Sequence, residues 1–133
     1  MGKLIPESHA DLLSEEKKAL AFLATKMTDE TPQVTPVWFN WDGTYLWINS
    51  AKGRVKDRNM RIHHEVAVAI PDSKDSNRFI QIRGIVVAIL EEGALRHADQ
   101  LSKKYTGNPW TPNSPDEVRV MYKIKPGHVM VSG

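Results

Sequence analysis

Asp42-Gly43 separates two runs of strand-forming residues, Val37-Trp38-Phe39-Asn40-Trp41 and Tyr45-Leu46-Trp47-Ile48-Asn49. An Asp-Gly pair between such runs is the strongest short-range signal for a β-hairpin, because both residues tolerate the positive φ of its tight turn. The neighbouring sequence extends the pattern. Residues 22–27 and 33–41 are β-branched, aromatic or threonine-rich, and Thr28-Asp29-Glu30-Thr31-Pro32 between them is turn material. These segments predict three consecutive strands in a meander. Residues 66–70 add an apolar strand ending at Pro71-Asp72, and residues 79–90 form the longest strand candidate, with Arg83-Gly84 as a bulge or close backbone approach. Its apolar second half is expected to be buried on both faces. Residues 118–125 and 128–131 are expected to close the domain as a hairpin around Pro126-Gly127.

Three short helices complete the reading. Ser14-Glu15-Glu16 reads as an N-cap with acidic first-turn residues, served by Leu12, Leu13, Leu20 and Phe22. The proline-free run 54–64 suits a second helix. Residues 91–105 return to helical spacing through Leu95, Ala98 and Leu101, and stop at Thr106-Gly107. About seven strands that follow one another through tight turns, rather than alternating with crossover helices, argue for an antiparallel barrel. At 133 residues the chain is expected to be one domain, residues 1–133.

The charge is unevenly spread. Residues 52–64 carry Lys52, Arg54, Lys56, Arg58 and Arg61 against Asp57, a local excess of +4 in a chain whose net charge is +2. This basic stretch begins where a strand ends and a helix starts. A helix N-terminus exposes unpaired N–H groups and positive dipole, Gly53 permits close backbone approach, and Ser50 and Asn59 offer neutral hydrogen bonds. Phosphate would bind well there. On spacing alone an ordinary solvated helix face is an equal reading, since no Walker or dinucleotide motif is present.

Other chemistry has little support. The chain has no cysteine, which removes disulfides, thiolate metal sites and cysteine nucleophiles and fits a cytoplasmic protein. Its five histidines lack the i, i+4 spacing of a metal pair, and no serine sits in a nucleophile elbow. No signal peptide or run of ~18 apolar residues is visible, so no membrane association is expected. Trp38, Trp41 and Trp47 are close in sequence, with Trp38 on the strand face opposite Val37, Phe39 and Trp41. Trp110, in a long proline-rich loop, is a candidate lid or partner-subunit contact. If the chain is an enzyme, a cofactor must bring the reactive atom. A small barrel with basic residues and tryptophans also fits single-stranded nucleic-acid binding, but the compact charge and small net excess argue for no nucleic-acid partner.

The run from Val34-Thr35-Pro36-Val37-Trp38-Phe39 through Ile48-Asn49-Ser50-Ala51-Lys52-Gly53-Arg54-Val55-Lys56-Asp57-Arg58-Asn59-Met60, then Val66-Ala67-Val68-Ala69-Ile70 and Ile80-Gln81-Ile82-Arg83-Gly84, resembles the pyridoxamine 5′-phosphate oxidase-like superfamily. Within it the chain looks most like the coenzyme F-420-dependent flavin/deazaflavin oxidoreductases. The resemblance implies a mainly β, antiparallel FMN-binding type split β-barrel with short flanking helices, working as a homodimer with cofactor at the interface. It implies that Ser50, Lys52, Arg54, Lys56 and Asn59 hold the phosphate and ribityl region of F-420, or of FMN as the alternative. Pro36 and Trp38 would lie near the ring system, and Phe79, Gln81 and Trp110 would reach it from the second subunit. Hydride transfer to a small unsaturated substrate is the implied activity, with a non-catalytic cofactor carrier as the other outcome. The sequence ends soon after Val131, without the extension by which vitamin B6 oxidases bind pyridoxamine phosphate, so oxidation of that compound is not expected.

Overall fold

The computed structural model describes residues 4–133; the opening Met1 to Lys3, part of the stretch read above for a leader, lies outside them. Seven strands form one antiparallel sheet: β1 (Ala21–Lys26), β2 (Pro32–Val37), β3 (Phe39–Trp41), β4 (Leu46–Ala51), β5 (Glu65–Asp72), β6 (Asp75–Leu90) and β7 (Arg119–Ser132). Their order across the sheet is β2-β1-β5-β6-β7-β4-β3. A 3-10 helix (Glu7–Leu13) precedes β1, α1 (Val55–Ile62) follows β4, and α2 (Ala94–Thr106) follows β6. None of the described helices is long and apolar enough to cross a membrane.

The expected hairpins β1–β2 and β3–β4 form, but the meander does not. β2 and β3 occupy opposite edges of the sheet although only Trp38 separates them in sequence. One residue spans ~3.5 Å at most, so the sheet must curl until its edges meet. This closure makes the split barrel. Its inner face is the core, where Leu23, Phe39, Leu46, Ile48, Val68, Ile70, Ile80, Ile82, Val120, Tyr122 and Ile124 are buried together. Leu12 and Leu13 of the 3-10 helix and Met60 of α1 join the same core.

α2 packs on β7 and β4 and secures the crossing. The buried Lys104 Nζ donates to Phe39 O (2.8 Å) and stands 4.6 Å from the Phe39 ring centroid. The neighbouring Tyr105 hydroxyl donates to Ala19 O (2.6 Å). Burial is the main cause of both shifts here, pushing the Lys104 ammonium down and the Tyr105 phenol up to about 12.

Four sequence expectations change. Ser14 caps only one turn, its Oγ accepting from Lys17 N (3.3 Å) while it ends the preceding 3-10 helix; Phe22 is already in β1, so no helix starts at Ser14. Pro126-Gly127 is no turn: β7 runs unbroken beside β6, with a register shift at Arg83/Gly84 that absorbs the extra residue. In the second half of β6 only Val86 is buried, while Ile85, Val87 and Leu90 face outward. On α2 the buried apolar stripe is Ala94, Ala98 and Leu101, and Leu95 is exposed.

Candidate functional site

At the end of β4 the chain turns through Gly53, whose φ of 91° lies in the left-handed region that glycine tolerates, and enters α1 at its N-cap, Arg54. The turn is braced from below. Asp57 is buried, and its carboxylate accepts from Gly53 N (2.9 Å), Tyr122 Oη (2.6 Å) and Arg61 Nε (3.0 Å). Burial opposes ionisation of Asp57, yet these donors together hold its carboxyl below the usual range. The first-turn N–H groups of α1, as in any α-helix, have no intrahelical partner, and the N-cap side chain takes none of them.

A cleft of about 400 Å³ opens beside this turn. Ser50 and Asn49 come from β4, Arg54 and Lys56 from the start of α1, and Arg119 from the start of β7. Pro36, Val37, Trp38, Leu20, Ala98, Leu101 and Trp110 supply apolar and aromatic surface. The Trp38 ring stacks on Tyr105 (centroids 5.4 Å, planes 6° apart) and meets Trp110 edge-on at 6.2 Å. Arg119 lies 4.4 Å from the Trp110 centroid, its Nε donates to Asn49 Oδ1 (2.9 Å), and its guanidinium pairs with Glu117.

The cleft therefore has a flat apolar part and a cationic end. Three basic side chains and no carboxylate are among its lining residues. Burial, then the charges of Arg54 and Arg119, push the Lys56 ammonium below the ordinary lysine range. Ser50 is buried, and its Oγ has no hydrogen-bond partner among the described residues. A buried unsatisfied hydroxyl costs about 1–3 kcal/mol, and an anion with oxygen acceptors beside Arg54 and Lys56 would relieve it. This donor set fits a phosphorylated group bearing a planar ring.

Of the residues singled out in sequence, Ser50, Arg54, Lys56, Pro36, Trp38 and Trp110 meet in this cleft. Trp110 lines the cleft of its own chain. Lys52 turns away to Glu91 (3.0 Å) and borders an adjacent groove with Gly53 and Arg54. Asn59 is buried and donates to Thr25 Oγ1 (3.0 Å) and Met27 Sδ (3.3 Å), tying α1 to β1. Phe79 and Gln81 lie on β6 opposite Ser132 and Met130, outside the cleft. Arg119 and Asn49, which sequence reasoning missed, belong to strands β7 and β4 that pair at Asn49↔Met121 and Ala51↔Arg119. Only that pairing, invisible in a local pattern, brings them together. Among the described residues no group of three histidine or carboxylate side chains could hold a metal ion.

Comparison with known proteins follows the same lines. A solved structure described as an F420 reductase is 31% identical, with a TM-score of 0.84 over 95% of this chain and 98% of the other. A conserved hypothetical protein of Mycobacterium tuberculosis (20% identity, TM-score 0.73, 99% and 88% covered) shares the fold. So does general stress protein 26 of Bacillus anthracis (18%, 0.65, 92% and 92%). A comparison with curated proteins returns no match. The family model for pyridoxamine 5′-phosphate oxidase matches residues 5–131, from the 3-10 helix to the end of the closing strand, and the chain belongs to that family.

Proposed function

We propose that this chain is a cytoplasmic oxidoreductase that binds coenzyme F-420 in the cleft and passes hydride between it and a small unsaturated organic substrate, as a homodimer. The observation that carries the reading is the unpartnered, buried Ser50 Oγ beside Arg54, Lys56 and Arg119, at one end of a cleft walled by Trp38 and Trp110. Similarity to an F420 reductase at 31% identity supports the deazaflavin over FMN. The ribityl phosphate is common to both, so the cationic end would accept either.

When bound, a reduced deazaflavin supplies hydride from its ring carbon C5. The chain supplies the rest. Arg54, Lys56 and the first-turn N–H groups of α1 would grip the phosphate, with Ser50 donating to one of its oxygens. That grip fixes the ring's distance from substrate, the proximity effect on which a protein without its own acid–base machinery depends. Leu20, Leu101 and the two indoles, which line the cleft, would help to exclude water from a ring bound there.

Parallel titrations with FMN and oxidised F-420, followed by tryptophan fluorescence, test the reading on the wild type and on Arg54→Ala and Lys56→Ala. Each substitution is expected to weaken binding about tenfold or more, as loss of a charge-assisted hydrogen bond dictates. Tight binding of FMN alone moves the assignment to FMN. Failure of both to bind overturns it, and cofactor binding without turnover of any acceptor leaves a carrier.

A further inference from the structure

The hydrogen bonds around Asn49 admit one assignment. The Ala94 carbonyl can only accept and the Arg119 Nε–H can only donate. The Asn49 amide must therefore turn its NH2 to Ala94 O (2.8 Å) and its Oδ1 to Arg119 Nε (2.9 Å). The second hydrogen of that NH2 meets His97 Nδ1 (3.0 Å), which must accept it. His97 then carries its proton on Nε2 and donates to Asn40 Oδ1 (2.7 Å).

We propose that His97 is a positioning residue for the cleft: by accepting from Asn49 it locks the amide that holds Arg119 against Trp110, and so sets where the third cation of the anion site stands. The proposal rests on the reading of the cleft as the cofactor site. The relay joins four elements, with Asn40 on β3, His97 on α2, Asn49 on β4 and Arg119 on β7. Only its last two members line the cleft. His97 is buried, and its burial, followed by the charge of Arg119, pushes its imidazolium down to about 4. The neutral ring that can accept from Asn49 is thus the form present at neutral pH. A histidine that merely filled space would need neither a fixed tautomer nor a coupling to Arg119.

The full-length chain tests this without ligand and with it. In nitrogen-15 NMR spectra of the free protein, His97 Nδ1 is expected to be unprotonated and the Arg119 Nε–H to be protected from exchange. His97→Gln, which keeps one acceptor beside one donor, should retain that protection; His97→Phe, which keeps the bulk, should abolish it. With FMN or F-420, whichever binds, His97→Phe and Arg119→Leu should each weaken affinity about tenfold, and the double variant no further, since contacts that act as a unit are not additive. An Arg119 Nε–H signal unchanged in His97→Phe overturns the proposal, as does an additive, roughly hundredfold loss in the double variant. If neither cofactor binds, the proposed function fails, and the Arg119 signal alone decides the positioning role by the same two patterns. Should His97→Phe not fold, Asn40→Ala frees the far end of the ring only: faster Arg119 Nε–H exchange is expected, and unchanged exchange overturns the role.

Discussion

Lys56 is the cleft residue whose chemistry depends most on its surroundings. Its ammonium is partly buried and flanked by Arg54 and Arg119, so it loses its proton at a lower pH than an ordinary lysine, whose value is 10.5. A bound phosphate favours the protonated form. The sign follows: affinity is full below the lowered pKa of the free protein and falls as pH rises through it, by at most about tenfold per pH unit for one proton. A phosphate monoester has already lost its second proton near pH ~6, so it does not mask the effect. As pH is raised from neutrality, affinity for the cofactor is expected to begin to fall below the ordinary lysine value of 10.5 in the wild type and to stay flat over the same range in Lys56→Met. A flat wild-type profile would remove Lys56 from the anion site. In the proposed site Ser50 would act through geometry, as a neutral donor whose buried Oγ has no partner among the described residues.

At the level of strands, the bulge opposite Pro126-Gly127 shows what a local pattern can hide. Pro-Gly is a turn dipeptide, yet here Gly84 pairs with Pro126 and Arg83 with His128, leaving Gly127 as the extra residue in a continuous ladder. Gly84 makes this possible by close approach, since a Cβ there would lie 2.5 Å from Lys125 O and 3.0 Å from Ile124 Cγ2. Gly84→Ala must push backbone from backbone. A loss of about 1–3 kcal/mol is expected, read as a lower denaturation midpoint, and an unchanged midpoint would mean that the strands part without cost. The sequence signalled this glycine but not its partner. Strand formers around Asp42-Gly43, the α1 segment and the Gly107 helix stop were legible because each is set within a few residues. The jump of the chain at Trp38 from one sheet edge to the other was not, because the run Val37-Trp38-Phe39 keeps one alternation across the break. For the same reason Ser50, Arg54 and Lys56, close together in sequence, were legible as a candidate site, while Arg119 and His97 reach Asn49 only across separations of 70 and 48 residues. Lys52 and Asn59 share the basic segment's composition but are claimed by Glu91 and Thr25.

For the whole molecule, closure of the barrel at Trp38 satisfies the inner face and leaves apolar side chains of the outer face exposed, those on β6 and β7 among them. In a monomer, Ile85 (51% exposed) and Val87 (49%) on β6, with Met130 (48%) on β7, place large apolar side chains in water. Val87 sits at the register shift between Val86 and Ala88, where it has no ladder partner across β7. Fully burying such a side chain contributes about 1.5–3 kcal/mol, so a second copy of the chain covering this face would be stabilised by several of them at once. Phe79 and Gln81, for which the family resemblance implies a place at the partner's cleft, lie on the same strand. Light scattering is expected to give a mass of twice 15.0 kDa for the wild type. Val87→Asp would put a charge against apolar surface in the dimer but into water in the monomer. It is therefore expected to halve the measured mass while leaving the circular dichroism of the fold unchanged, and to weaken cofactor binding if the partner's β6 completes the site. A wild type that is monomeric across the concentration range would overturn the dimer. A Val87→Asp variant that stays dimeric would move the interface to another face.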